Sequence, residues 1–99
     1  MTTTNPKFAP GQVVATIGAL DALAKAGQTP HELLARHLRG DWGDLDGEDA
    51  ALNVEALKDG SRLLSAYALK TGEKLWVITE AADYSGHRAV STLLLPDEY

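Results

Sequence analysis

The 99-residue chain has no cysteine, which removes disulfides, thiolate zinc sites and cysteine nucleophiles together. It also has no long apolar run: the longest, "STLLLP" near the end, is strand-sized, far short of the roughly 20 residues a membrane span needs. The opening "MTTTNPKFAPG" lacks the charged start and apolar stretch of a secretory signal, so a cytoplasmic protein with no membrane association is expected. Basic residues are scarce too. Nine Lys and Arg against fourteen Asp and Glu leave a net charge of −5. That balance disfavours direct nucleic-acid binding, which depends on neutralising phosphates. The one dense basic cluster, Arg36, His37 and Arg39 in "ARHLRG", falls at a helix end, where such residues complement the helix dipole.

What remains is a globular composition, 44% hydrophobic and 23% charged, with too many apolar residues for a disordered acidic tail. Residues 1–12, with two prolines and a glycine, read as a flexible N-terminal arm, and 13–99 as a single domain. Val13 and Val14 suit a short strand. Thr16 is the N-cap of a helix over 17–26 with Ile17, Leu20, Leu23 and Ala24 as its apolar positions, closed by Gly27. "TPHE" then places Thr29 at an N-cap, Pro30 in the first helical position and Glu32 where a capping box needs it. Leu33, Leu34 and Leu38 form that helix's apolar face, and Gly40 ends it. A third helix runs from about Glu48 to Lys58, capped by Asp46 or Asp44, with Gly60 after its end.

Beyond Gly60 the period changes. "RLLSAYALKTGEKLWVITE" is two β-prone runs about a two-residue Thr71-Gly72 turn, a spacing that sets Tyr67 opposite Trp76. "ADYSGHR" is a polar connection and "AVSTLLL" a further strand. The fold expected is α+β, with about three N-terminal helices on one face of a C-terminal three- to four-stranded antiparallel sheet. Tyr67, Trp76 and Ile78 would share one sheet face, and Leu64, Leu75 and Val77 the other. So few helices cover only one face, which leaves the second as a partner or dimer surface.

The segment "DWGDLDGED" concentrates acid: seven of the fourteen acidic residues lie between Asp41 and Asp59, against the single base Lys58. Asp44, Asp46 and Gly47 match the third, fifth and sixth positions of a calcium-binding EF-hand loop. The first position is then Trp42 and the twelfth Asn53, so the leading carboxylate and the bidentate glutamate are both missing. Capping of the third helix by these acids, with Trp42 packed beside Leu45, accounts for the segment. The same geometry also offers an acidic surface that imitates phosphates and fits a basic groove. His31 and His37 are six residues apart, which is not the spacing that sets two ligands on one helix face, so no metal and no cofactor are expected. On the "SGHRAVST" loop, His87 and Arg88, with Glu80 and Thr92, offer the parts of a small metal-independent ribonuclease site.

The pieces Gly40-Asp41-Trp42-Gly43, Asn53, Gly60 with Arg62, Ser65-Ala66-Tyr67, Trp76, Thr79-Glu80 and Leu95-Pro96-Asp97-Glu98-Tyr99 resemble a family of small bacterial proteins described as plasmid-related. The resemblance covers nearly all of the chain beyond the arm. It departs after Glu80, where "AADYSGHRAVS" replaces a shorter "ADRS"-like turn, so His87 belongs to the variable part. The family brings no established activity or site with it. It implies a setting, mobile DNA, in which small acidic proteins act by binding host machinery. The expectation is therefore a non-enzymatic accessory protein that binds a protein partner, a host nuclease or regulator, through Asp41, Trp42, Asp44, Asp46, Glu48, Asp49, Tyr67 and Trp76. Its sharpest form is an inhibitor of a host nuclease defence, of the anti-restriction or anti-CRISPR kind. The ribonuclease and a homodimeric structural module are the alternatives.

Overall fold

In the computed structural model, which describes residues 6–99, three helices lie between the first strand and the other three. The order is β1 (Gln12–Ala15), α1 (Ile17–Ala26), α2 (Pro30–Leu38), α3 (Gly47–Asp59), β2 (Leu63–Ala68), β3 (Lys74–Thr79) and β4 (Val90–Leu94), with a 3-10 turn over Pro96–Glu98. Every helix begins on an oxygen that satisfies an otherwise orphaned backbone N–H. Thr16 accepts from Ala19, Thr29 from Glu32 and Asp46 from Asp49. The reciprocal half of the capping box on α2 is not made. The Glu32 carboxylate instead accepts from the Gln28 amide at 2.8 Å.

The strands form one sheet in the order β1-β4-β3-β2. It is mixed, not purely antiparallel: β2, β3 and β4 are antiparallel neighbours, and β1 runs parallel to β4. A parallel pair needs a long crossover, and here all the chain from α1 to β3 supplies it.

The hairpin between β2 and β3 differs by one residue from the spacing expected. Leu69 N–H donates to Glu73 O and Gly72 N–H to Leu69 O, both at 2.8 Å. The loop therefore has three residues, Lys70, Thr71 and Gly72, and Gly72 takes the positive φ (91°) that such loops require at their end. The register becomes Tyr67 opposite Leu75 and Ala66 opposite Trp76. A one-residue slip changes the neighbours on each face. Tyr67 joins Leu63, Ser65, Leu75, Val77, Thr79, Ser91 and Leu93 on the inner face, all of them fully buried. Leu64, Ala66, Trp76, Ile78, Thr92, Leu94 and Val14 occupy the outer face.

Helices α1 and α2 pack on the inner face, where Ala19, Ala22, Leu23 and Leu33 meet Tyr67, Leu75, Val77 and Leu93. The contact face of α1 is only partly the one expected: Leu23 is buried together with Ala19 and Ala22, while Ile17 is 86% exposed, Leu20 47%, and Ala24 is exposed too. Small side chains let the helix lie close to the sheet, and this outweighs the larger apolar area of Ile17. A second cluster joins Trp42, Ala56 and Leu63 with Phe8, Leu45, Ala50 and Leu57.

The arm expected over 1–12 does not extend over residues 7–12. Residues 1–5 lie outside the described residues, but Lys7 N–H donates to Leu38 O at 2.7 Å, Phe8 packs on the second cluster, and Gln12 begins β1. The outer face is also less open than expected. The ring of Tyr99 meets Trp76 edge-on at 5.7 Å, and Arg62 lies over Tyr99 at 5.5 Å.

Candidate functional site

The acidic segment lies along the edge of β2. In an antiparallel edge strand, alternate residues aim both backbone groups away from the sheet, and on β2 these include Leu64 and Ala66. Ala66 N–H donates to Trp42 O at 3.1 Å and its carbonyl accepts from Asp44 N–H at 2.6 Å. Leu64 is matched in the same way by one side chain: Asn53 accepts from its N–H at 3.1 Å and donates to its carbonyl at 2.6 Å. Residues 42–44 and Asn53 thus cover the edge, as proteins commonly do to prevent pairing with another chain.

The carboxylates at the start of the segment are engaged in holding it there. Asp41 accepts from Arg36 Nε at 2.7 Å and from Gly43 N–H at 3.2 Å, with Arg39 at 3.8 Å. The Arg36 hydrogen bond holds the Asp41 carboxyl below its ordinary range. Asp44 pairs with Lys74 at 3.3 Å, and Asp46 caps α3. The basic cluster is engaged as well. Arg36 stacks on Tyr67 with its Cζ 4.5 Å from the ring centroid, and His37 is buried.

Of the residues expected to bind a partner, Tyr67 is fully buried and Trp42 is 9% exposed, so neither presents a contact surface. The Tyr67 hydroxyl donates to Asp41 O at 2.6 Å, and burial pushes its pKa up to about 12. Trp76 lies half-covered on the outer face, opposite Ala66 on the neighbouring strand. Glu48 and Asp49 are exposed in the first turn of α3. Period 3.6 places Glu48, Leu52, Glu55 and Asp59 on one stripe of this helix. All four are exposed, Leu52 to 63%.

Sequence reasoning passed over the buried polar chain at the centre of the inner face. His37 lies one turn after Leu33, on the same buried stripe of α2, and that spacing was the available signal. Its Nδ1 is 2.6 Å from Ser65 Oγ and its Nε2 2.9 Å from Thr79 Oγ1. Thr79 Oγ1 is 2.6 Å from Ser91 Oγ, and Ser91 donates to Pro10 O at 2.8 Å. A carbonyl only accepts, so the direction of each bond from Pro10 back to His37 Nε2 follows from that end. Ser91 uses its proton on Pro10, Thr79 donates to Ser91, His37 donates to Thr79 from Nε2, and Ser65 donates to Nδ1. Nδ1 is the acceptor of the Ser65 proton because the buried ring is neutral, with Phe8 and Trp42 edge-on at 5.2 and 5.8 Å. Burial, reinforced by the Arg88 charge, lowers its pKa from 6.5 to about 4.

The parts of the ribonuclease site are not brought together. Arg88, 6% exposed, donates to Ser61 O at 2.7 Å and to Glu80 O and Ala56 O at 3.0 Å. It fastens the end of α3 to the sheet and lies 5.8 Å from the Phe8 ring. Presenting it to a phosphate would break these bonds. His87 and the Glu80 side chain are exposed, and Thr92 is on the outer face. A hollow of about 410 Å³ beside Arg88 is lined by Lys7, Phe8, Lys58, Asp59 and Tyr84 among others, but not by His87. Arg88→Met is expected to cost about 2–3 kcal/mol by orphaning these carbonyls and to speed amide exchange in the last turn of α3. Denaturation at wild-type urea concentrations would mean that solvent already satisfies them.

Among the described residues, no group of three or more His, Asp or Glu is placed to hold a metal ion, and no helix is long and apolar enough to cross a membrane. The chain matches no family model, no curated protein and no solved structure.

Proposed function

We propose that this is a non-enzymatic protein-binding accessory protein of a mobile genetic element, and that its contact surface is the exposed face of α3. The observation that carries the proposal is the stripe Glu48, Leu52, Glu55 and Asp59: an exposed leucine about one turn from Glu48 on one side and from Glu55 on the other, with Asp59 one turn further. Charge of one sign around an apolar anchor suits a partner with a basic groove and an apolar floor. A host nuclease or nucleic-acid-binding regulator has such a groove, so inhibition of a nuclease defence is the sharpest form of this reading. The mobile-element setting rests on the resemblance to plasmid-related proteins. The engagement of His37, Arg88 and Tyr67 in the fold also favours binding over catalysis.

Replacing Asp41, Asp44 or Asp46 would test the fold together with the surface. Glu48→Gln and Glu55→Gln combined with Leu52→Ala change only exposed side chains, and thermal stability is expected to stay near that of the wild type. In affinity capture from a bacterial lysate, the wild type should retain a nucleic-acid-binding protein that added salt releases, and the triple variant should not. Equal retention by both proteins, or no salt-sensitive capture at all, would remove α3 from the account.

A further inference from the structure

The two edges of the sheet are treated in opposite ways. On β2, the outward groups of Leu64 and Ala66 are bonded by Asn53, Trp42 and Asp44. At the other edge, Gln12 N–H donates to Ala89 O and Thr16 N–H to Leu93 O, so the even-numbered residues of β1 face β4. Alternation then turns the N–H and C=O groups of Val13 and Ala15 outward. Among the described residues no strand lies beyond β1. Among the described residues this edge has none of the features that block pairing: no Lys, no Pro within the strand, no bulge and no covering helix.

Charge identifies what fits this edge. The chain carries −5, so two copies repel across most of their surface. The longest stretch without a charged residue runs from Phe8 to Leu20. It includes β1 and holds four of the exposed large apolar residues: Val13 at 42%, Val14 at 38%, Ile17 at 86% and Leu20 at 47%. An acidic chain meets its own copy at low electrostatic cost through a strand that carries no charged side chain, and the Glu98 carboxylate beside Thr16 is already taken up by the Thr16 hydroxyl and the Leu95 N–H. An antiparallel pair of identical strands is also self-complementary about a two-fold axis.

We infer that β1 is a homodimer edge, pairing antiparallel with β1 of a second copy so that the two four-stranded sheets become continuous. Centred on Val14, this register sets Val13 opposite Ala15 of the partner subunit, and the two residues exchange both backbone hydrogen bonds. The two Val14 side chains meet on the outer face. This surface is separate from the α3 stripe, so dimerisation and partner capture can succeed or fail independently.

The test is sedimentation equilibrium of the full chain as wild type, Val13→Lys, Val13→Pro and Leu52→Lys. The N–H of Val13 points away from β4, so proline there removes no bond within the monomer, and lysine charges the edge without altering the backbone. Wild type and Leu52→Lys are expected to dimerise alike, while both Val13 variants raise the dimer Kd by about tenfold or more. In the wild type, amide exchange at Val13 and Ala15 should slow as concentration rises. A monomer at every concentration overturns the inference, as does a dimer that survives both Val13 changes or is lost with Leu52→Lys. Should Val13→Pro fail to fold, Val13→Lys decides.

Discussion

Replacing His37 with leucine is expected to cost about 3 kcal/mol of stability at pH 7 and close to nothing at pH 4. At neutral pH the loss has two sources. Ser65 is left with a buried hydroxyl proton and no acceptor, which costs about 1–3 kcal/mol, and the edge-on contacts with Phe8 and Trp42 contribute about 0.5–1.5 kcal/mol each. Thr79 is less affected, because its own proton still goes to Ser91.

The pH dependence follows from the buried imidazole. Its folded pKa of about 4 lies below the ordinary 6.5, so between these values the unfolded chain binds the extra proton. Wild-type stability is therefore complete above about pH 6.5 and falls as the pH drops toward 4, by about 3 kcal/mol in total. The leucine variant has no such proton. The carboxyls of Asp41, Asp59, Asp83 and Glu98 are also held below their ordinary values, but their loss is common to both proteins. Urea unfolding from pH 7 to pH 4 should thus bring the two stability curves together. Parallel curves would mean that His37 titrates alike in the folded and unfolded chains, and the Ser65 hydroxyl would not be the donor to Nδ1.

Gly43→Ala is expected to cost about 3–5 kcal/mol, a large share of the roughly 5–15 kcal/mol that holds a domain of this size. Gly43 has φ 75°, where an L-residue is disfavoured by about 1 kcal/mol. A Cβ there would overlap the Ala66 carbonyl and stand 2.7 Å from Tyr67 Cδ1. Both neighbours are fixed, one as sheet backbone and the other as a fully buried ring. Relief requires the 42–44 segment to lift from β2, which breaks both of its bonds to Ala66 and draws Trp42 from its cluster. The Gly47→Ala change is the control, since nothing lies within 4 Å of a Cβ at that position. Faster exchange of the Ala66 amide in Gly43→Ala alone would show the edge opening. A loss no larger than about 1 kcal/mol, the backbone penalty by itself, would mean that the segment does not seal the sheet.

Local chemistry is what the sequence by itself determined. Thr16, Thr29 and Asp46 supply oxygens at fixed distances from their own helix starts, and Gly27 and Gly60 tolerate the left-handed turn after α1 and α3. Those contacts span a few residues, so the caps, the helix spans and the α+β class are legible along the chain. The tertiary structure decided whatever depends on a distant partner. A three-residue loop in place of two moved Tyr67 from the expected surface into the core. The parallel pairing of β1 with β4 joins residues nearly eighty positions apart, and no periodicity records it. The same holds for the acids. Composition shows that "DWGDLDGED" is acidic, but only the approach of Arg36, Lys74 and β2 makes Asp41, Asp44 and Trp42 part of the fold, and leaves Glu48, Leu52 and Glu55 facing solvent. A side chain's neighbours along the chain are fixed by covalent geometry, whereas its neighbours in space depend on every other segment finding its place.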